Sequence, residues 1–216
     1  MMTIGVLWSL SPALAQEVNA PSHRHSVQSR VRVPAQKLPN INVKALRAED
    51  KRRKNEVVPH RYGTAVGTNF SPSQHGLWER LQSGDWLWRL RIRSRDAVSL
   101  SVGFTRFELP PGAKLFLHGP NDTILHGPYT DQDATNGEHW TPLVRAEEII
   151  IELTVPDNQR DVVDLTVGQV VHGYRSLPPS RQNGPTAKSG DCNIDVACDQ
   201  ADRWRDQVRS VGGYTL

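Results

Sequence analysis

The sequence predicts an all-β fold, one antiparallel β-sandwich over residues 62–175. From Tyr62 onward, short apolar runs are separated by Gly, Pro, Asn and Asp about every ten residues, the rhythm of a sandwich or barrel. Several runs alternate apolar and polar residues with the period of a half-buried strand. No stretch between Tyr62 and Tyr174 has the helical period.

The clearest predicted strand runs from Asp85 to Ser94. Its alternation places one set of side chains on the core face, namely Trp86, Trp88, Leu90 and Ile92. The opposite face carries Arg89, Arg91 and Arg93. The Ser83-Gly84 pair predicts a hairpin turn back to a strand at Leu77–Leu81.

The rest of this region predicts further strands separated by turns, one of them at Pro110-Pro111-Gly112. In the Ala97–Phe104 strand, Val98, Leu100, Val102 and Phe104 are expected to point inward. The remaining predicted strands are Lys114–His118, Thr123–His126, His139–Thr141, Glu147–Val155 and Val162–Tyr174, with a longer loop at Gly127–Gly137.

Tryptophans are concentrated in the predicted sandwich, at Trp78, Trp86, Trp88 and Trp140. Alternate positions of one strand favour a place in the core for Trp86 and Trp88. The alternative is an aromatic platform for sugar rings, which would make the chain a secreted module that binds polysaccharide or peptide.

Residues 16–61 differ from the sandwich in composition, with eleven Lys and Arg against four acids. This segment therefore carries a net charge of +7 and the remainder −4. Its prolines and scarce large apolar residues predict a basic, largely disordered segment. A contact with nucleic acid or an anionic surface is the alternative, but we expect no nucleic-acid partner.

The first fifteen residues predict a signal peptide, with an apolar run that ends in Ala13-Leu14-Ala15. We expect cleavage between Ala15 and Gln16, and a secreted or periplasmic protein. No apolar run reaches the length of a membrane span. Residues 176–188 are rich in Pro, Ser, Gly and Asn and predict an exposed linker.

Catalytic and metal-binding patterns are absent from the sequence. There is no Gly-x-Ser-x-Gly or Gly-Asp-Ser-Gly motif for a nucleophile, so no catalytic residue is assigned. His118, His126 and His139 lack the spacing of metal ligands, and we expect them at the surface or in turns. No metal site and no cofactor are predicted.

The last 28 residues, 189–216, begin with Ser189-Gly-Asp-Cys192-Asn-Ile-Asp-Val-Ala-Cys198 and lead through an Arg- and Asp-rich turn to Val211-Gly-Gly-Tyr214. This pattern resembles the mature N-terminus of bacterial lysyl endopeptidases, secreted serine proteases of the chymotrypsin fold. The pattern from Ala97 to Leu115, with Leu109-Pro-x-Gly-Ala113, also resembles the pro-region of these proteases. That resemblance implies a jelly-roll-like outline for the sandwich.

The resemblance implies that the chain is a pre-pro-region followed by a truncated start of the protease domain, inactive alone. The family's catalytic residues would lie downstream of Leu216, and Cys192 and Cys198 would pair with cysteines there. Processing is expected between Lys188 and Ser189. The pro-region would assist folding of the protease domain and cover its active site, with that domain as partner of a monomeric precursor.

A second cleavage position remains as an alternative. Arg209-Ser-Val-Gly-Gly213 resembles the activation cut of animal trypsins, although Ser rather than Ile or Val follows the arginine.

Overall fold

The computed structural model describes residues 20–24, 33–53, 61–121 and 125–176. The chain divides into two units, Met1–Leu177 and Pro178–Leu216, and the described residues all belong to the first. The expected signal peptide, all but the first residue of the predicted linker, and the start of the protease domain lie outside the described residues. The predictions made for them are therefore untested.

The described strands form two sheets, as the prediction of an all-β sandwich requires. One sheet has the order β1-β4-β9-β6-β7, with β3 also paired to β4; the other has the order β2-β10-β5-β8. The strands are β1 (Ala35–Lys37), β2 (Gly63–Phe70), β3 (Leu77–Arg80), β4 (Trp86–Arg93), β5 (Ser99–Glu108), β6 (Lys114–His118), β7 (Leu125–Tyr129), β8 (His139–Trp140), β9 (Glu148–Val155) and β10 (Asp164–Gly173). The described helices are α1 (Pro21–Arg24) and α2 (Val43–Arg52), with 3-10 turns at Asp131–Asp133 and Asp157–Val162.

The hydrophobic core contains inward residues of both sheets. Trp88, Leu90 and Ile92 of β4 and Ile151 of β9 contribute from the first sheet, with no exposed surface. The second sheet contributes, among others, Leu100, Val102, Phe104, Val167 and Val170. The predicted inward face of β4 is therefore confirmed, although Trp86 at its start is only half-buried.

Strand β5 continues four residues beyond its predicted end. The sequence did not show this because a β-bulge changes the face to which the side chains point, which interrupts the apolar-polar alternation. Thr166 pairs with Arg106 and Val167 pairs with Phe104, which leaves Thr105 as an extra residue. Phe104 and Phe107 therefore both enter the core, with ring centroids 5.4 Å apart. The expectation that Val98 points inward is wrong: this residue precedes the strand and is 39% exposed.

Strands β7 and β2 also differ from what the sequence predicts. β7 extends through Pro128, whereas the sequence analysis placed Gly127-Pro128 in a loop. A proline is tolerated there because β7 is the last strand of its sheet and needs no ladder bond on its outer side. β2 was not predicted, since Val66 and Phe70 are its only large apolar residues.

The expectation that residues 16–61 are largely disordered is wrong for the part that the structure describes. β1 adds to β4 as a parallel strand, with Ala35 opposite Arg91 and Lys37 opposite Arg93. Leu38 enters the core, so the sandwich begins before residue 62. The few apolar residues of this segment are enough to keep its described part ordered, because its charged residues bind partners in the sandwich.

Helix α2 begins with a side-chain cap, since the Asn42 carboxamide oxygen accepts the Ala45 N–H at 3.0 Å. None of its residues is buried, so packing does not explain its position. Its acidic residues near the C-terminal end bind the sandwich instead, as described below. Within the described ranges, no helix combines the length and apolar character needed to cross a bilayer.

Candidate functional site

The end of β10 is the place from which the chain leaves the sandwich toward its predicted processing site. Beyond Gly173, both Tyr174 and Arg175 donate their backbone N–H groups to the Tyr62 carbonyl, at 3.0 and 3.1 Å. The backbone is therefore held up to Arg175, one residue before the predicted linker begins.

Six side chains from three chain segments surround this point, and we call them the exit cluster: Arg47, Glu49, Asp50, Arg61, Tyr174 and Arg175. The Tyr174 side chain is buried, and its hydroxyl donates to Asp50 Oδ2 at 2.7 Å. Arg175 Nη2 donates to the same oxygen at 2.8 Å. Arg61 Nε donates to Asp50 Oδ1 at 3.0 Å, so both oxygens of this carboxylate are bound.

The rest of the exit cluster joins α2 to the same point. Arg61 Nη2 donates to Glu49 Oε2 at 2.9 Å. Arg47 Nη2 donates to the Tyr174 carbonyl oxygen at 3.0 Å. Helix α2, which buries no side chain of its own, is thus fixed to the end of β10 by charge-assisted hydrogen bonds.

The charges of the exit cluster stabilise one another. Burial alone would raise the pKa of Asp50, but the hydrogen bonds from Tyr174 and Arg61 and the nearby charge of Arg175 outweigh it, so this pKa is lowered. The hydrogen bond from Arg61 lowers the pKa of Glu49. Burial raises the pKa of Tyr174, and the hydrogen bond to Asp50 acts in the same direction. At neutral pH the cluster therefore contains ionised carboxylates and a protonated tyrosine.

We expect Asp50→Asn to lower the free energy of unfolding at pH 7 by about 1.5–3 kcal/mol, because Tyr174, Arg61 and Arg175 lose a charged acceptor. The folded-state pKa of Asp50 lies below the unfolded value of about 4. Its stabilisation is therefore complete above pH ~4 and is lost as the pH falls through the folded-state pKa. Urea unfolding of both proteins at pH 7 and at pH 3 measures this.

The matched control is Asp157→Asn, which removes a carboxylate bound to Arg80 at 2.7 Å where both side chains are about half exposed. An exposed pair of this kind contributes about 1 kcal/mol or less. A difference between wild type and Asp50→Asn that stays constant from pH 7 to pH 3 would contradict the assigned role of Asp50.

A buried serine and histidine lie between the two sheets but form only a structural contact. Ser94 Oγ and His172 Nδ1 are 2.7 Å apart, and neither side chain has exposed surface. Burial lowers the pKa of His172 despite the opposing charge of Asp96, so the ring is neutral. A peptide bond has no access to this serine, and the pair therefore lacks the substrate approach that acyl transfer requires.

His118 is fully buried, so the expectation that it lies at the surface or in a turn is wrong. It lies at the end of β6, where its Nε2 is 3.5 Å from the Glu152 carboxylate and its Nδ1 is 2.9 Å from the Gly119 carbonyl. Glu152 also accepts the Ser22 backbone N–H at 2.9 Å. This contact fixes α1 against the outer face of the first sheet.

Arginine guanidinium groups lie over the rings of two tryptophans. The Arg160 guanidinium lies over both Trp78 and Trp86, at 5.1 and 4.7 Å from the ring centroids. Arg80 lies 5.6 Å from the Trp86 centroid. Since Trp88 is fully buried, a sugar platform along β4 does not agree with the structure.

Trp140 differs from these tryptophans because it is 51% exposed. Its ring lies against the bare backbone of Gly103, where a Cβ atom would come within 2.6 Å of the ring. It borders an open cavity of about 590 Å³ with Asp133, Thr135, Asn136, Glu138 and His139.

The processing residues predicted from the sequence, Ala15, Gln16, Lys188 and Ser189, lie outside the described residues, as do Cys192 and Cys198. Their expected roles therefore stay predictions. The exit cluster was missed by sequence analysis. Its only sequence signal is the Glu49-Asp50 pair within a basic segment, and Tyr174 is 124 residues away from Asp50 along the chain.

A comparison with protein families gives a match over most of the described part of the chain. The family described as the lysyl endopeptidase N-terminal domain matches residues 32–174. The matched range begins just before β1 and ends at Tyr174 of the exit cluster.

Proposed function

The chain belongs to the lysyl endopeptidase N-terminal domain family, and from this premise we propose that it is the pro-region of a secreted serine endopeptidase of the lysyl endopeptidase type. In this proposal the sandwich assists folding of a covalently attached protease domain and covers its active site until it is cut away. The observation that carries the proposal is the coincidence of the family match, 32–174, with the folded unit from β1 to the exit cluster.

A folding role has a physical basis in topology. A chymotrypsin-type barrel is built from contacts between residues far apart in sequence, and such folds form slowly. A preformed, rigid sandwich supplies a surface on which a partly folded barrel can be stabilised. The exit cluster supports this role because it anchors the last residues before the linker.

We place removal of the pro-region at the Lys188–Ser189 bond. Pro185 keeps the preceding residues out of a helix, and a protease selective for Lys must receive its substrate as an extended segment. Twelve residues lead from Ser176 to Lys188, and fully extended they span about 40 Å. This reach allows the attached protease to cut its own precursor. Cys192 and Cys198 would then belong to the mature enzyme and pair with cysteines later in its sequence.

The test joins residues 1–188 to a complete lysyl endopeptidase domain that begins at Ser189. We expect an active enzyme whose N-terminal sequence starts at Ser189, and an uncleaved precursor when the catalytic serine is changed to Ala. Without residues 20–176, the yield of active enzyme after refolding should fall about tenfold or more, since the slow barrel loses its template. Adding the full chain in trans should restore the yield.

An unchanged refolding yield without the pro-region would contradict the folding role, an N-terminus at Ser210 would contradict the assigned cleavage position, and a Ser189 start that persists in the Ala variant would contradict self-cleavage. The last would leave the pro-region role intact but assign the cut to another protease.

A binding module for polysaccharide or peptide is the second candidate function, and the exposure of Trp140 beside polar side chains favours it. Exposed aromatic rings of this kind stack on apolar faces of ligands. In that case the chain would leave the refolding yield unchanged. It would instead be retained on an insoluble polysaccharide or an immobilised peptide, and Trp140→Ala would abolish retention.

A further inference from the structure

Strand β2 presents an unprotected sheet edge. It is eight residues long, pairs with β10 on one side, and has no partner on the other side among the described residues. Unpaired edges attract other strands, and proteins usually protect them with charged residues, proline or short length. β2 contains no charged residue and no proline.

The other described edge strands have this protection. β1 and β8 have only three and two residues. β3 ends in Glu79 and Arg80, and β7 contains Pro128. The open edge of β2 is therefore a particular feature of this strand in the described part of the chain.

The hydrogen-bond pattern shows which residues of β2 direct their backbone groups outward. Bonded and non-bonded pairs alternate along an antiparallel ladder. Tyr174 donates to Tyr62, so this pair is bonded. The Gly173 carbonyl oxygen accepts the Val98 N–H on the side of β10 that faces away from β2. Gly173 and Gly63 are therefore a non-bonded pair.

Continuing this alternation along the register, Thr64 and Val66 bond to β10. The N–H and C=O groups that point to the open edge belong to Gly63, Ala65 and Gly67. Glycine and alanine are the two smallest residues, and a Cβ atom added to Gly67 would have no other atom within 4 Å. An incoming strand can therefore approach the backbone closely.

The same edge leaves part of the core uncovered. Val66 and Phe70 of β2 pack against the core cluster but are only partly buried. A strand added beside β2 would cover them, and its backbone would satisfy the groups at Gly63, Ala65 and Gly67. Both apolar burial and main-chain hydrogen bonds thus favour strand addition at this edge.

We propose that the open edge of β2 is the docking surface for the protease domain, which adds an extended strand alongside Gly63–Gly67. This inference rests on the proposed function. Tyr62, the residue that precedes β2, accepts the backbone N–H groups of Tyr174 and Arg175, so the last held residues before the linker lie next to this edge. A domain attached there by a short linker has an effective concentration of about millimolar, which favours it over a separate molecule.

The test uses the full chain and, as probe, a mature lysyl endopeptidase domain whose catalytic serine is changed to Ala. Ala65→Pro removes one outward N–H without loss of a β10 bond, and its side chain lies on the exposed face. We expect its affinity for the probe to fall about tenfold or more, because strand addition at this position is blocked. Ala65→Ser keeps the N–H and is the matched control, with unchanged affinity.

Hydrogen exchange gives a second measurement on the unmodified chain. The amides of Gly63, Ala65 and Gly67 should exchange about tenfold more slowly, or slower still, in the complex than in the free chain. This result decides the question even if Ala65→Pro does not fold, which its melting curve will show.

The outcomes separate the two proposals. A wild-type complex with no protection of these amides would overturn the docking edge but leave the pro-region function standing. Failure of the wild-type chain to bind the probe at all would overturn both. If these amides are protected from exchange in the chain alone, and more so at higher chain concentration, the edge binds a second copy of the chain. That result would overturn docking of the protease there.

Discussion

Replacing Trp88 with Ala is expected to lower the free energy of unfolding by about 3–5 kcal/mol, the usual cost of removing a fully buried aromatic side chain. Trp88 has no exposed surface and lies in the core cluster. Its indole N–H also donates to the His75 carbonyl at 2.7 Å, which ties the loop before β3 to the core. Chemical denaturation monitored by circular dichroism measures the change.

Trp140→Ala is the matched control, since it removes the same side chain from a position that is 51% exposed. We expect a loss of about 1 kcal/mol or less, as for most surface substitutions. Equal effects of the two substitutions would mean that Trp88 does not lie in the core in solution.

Replacing Glu79 with Gln is expected to lower the free energy of unfolding by about 3–5 kcal/mol, because it removes a carboxylate charge that accepts from a fully buried arginine. The Arg89 guanidinium has no exposed surface and donates to the Glu79 carboxylate across the β3-β4 hairpin. The sequence analysis placed Arg89 on the outer face of β4, and the structure shows that this position is covered. Thermal and urea unfolding both measure the loss.

Glu147→Gln provides the comparison, since Glu147 faces Arg93 at 3.6 Å with both side chains about half exposed. Solvent screens such a pair, so a loss of about 1 kcal/mol or less is expected. The double change Glu79→Leu with Arg89→Leu should recover part of the stability lost in Glu79→Gln, because the buried guanidinium is removed together with the carboxylate that accepts from it. A Glu79→Gln protein as stable as wild type would show that Arg89 does not depend on this carboxylate.

The pro-region proposal gives the segment before the sandwich a specific role. Arg47, Glu49 and Asp50 of α2 bind the residues that lead into the linker, although more than a hundred residues separate them along the chain. The helix therefore secures the sandwich at the point where the protease domain would be attached. Weakening the exit cluster should loosen this end of β10 while the core remains intact.

The sequence by itself determined the fold class, because alternation of apolar and polar residues is a local property of each strand. The core face of β4 and the bounds of β6 follow from that pattern. The family resemblance rested on another local feature, the spacing around Cys192 and Cys198 and the Leu-Pro-x-Gly-Ala turn.

Only the tertiary structure decided the features that depend on residues far apart in the chain. Alternation along β5 could not predict the bulge at Thr105, because it depends on the register with β10. Composition made residues 16–61 look disordered, yet β1 gains its hydrogen bonds from β4 and α2 gains its ion pairs from Arg61 and Arg175. The open edge of β2 likewise exists only once the sheets are assembled, because whether a strand has a second neighbour is a property of the sheet.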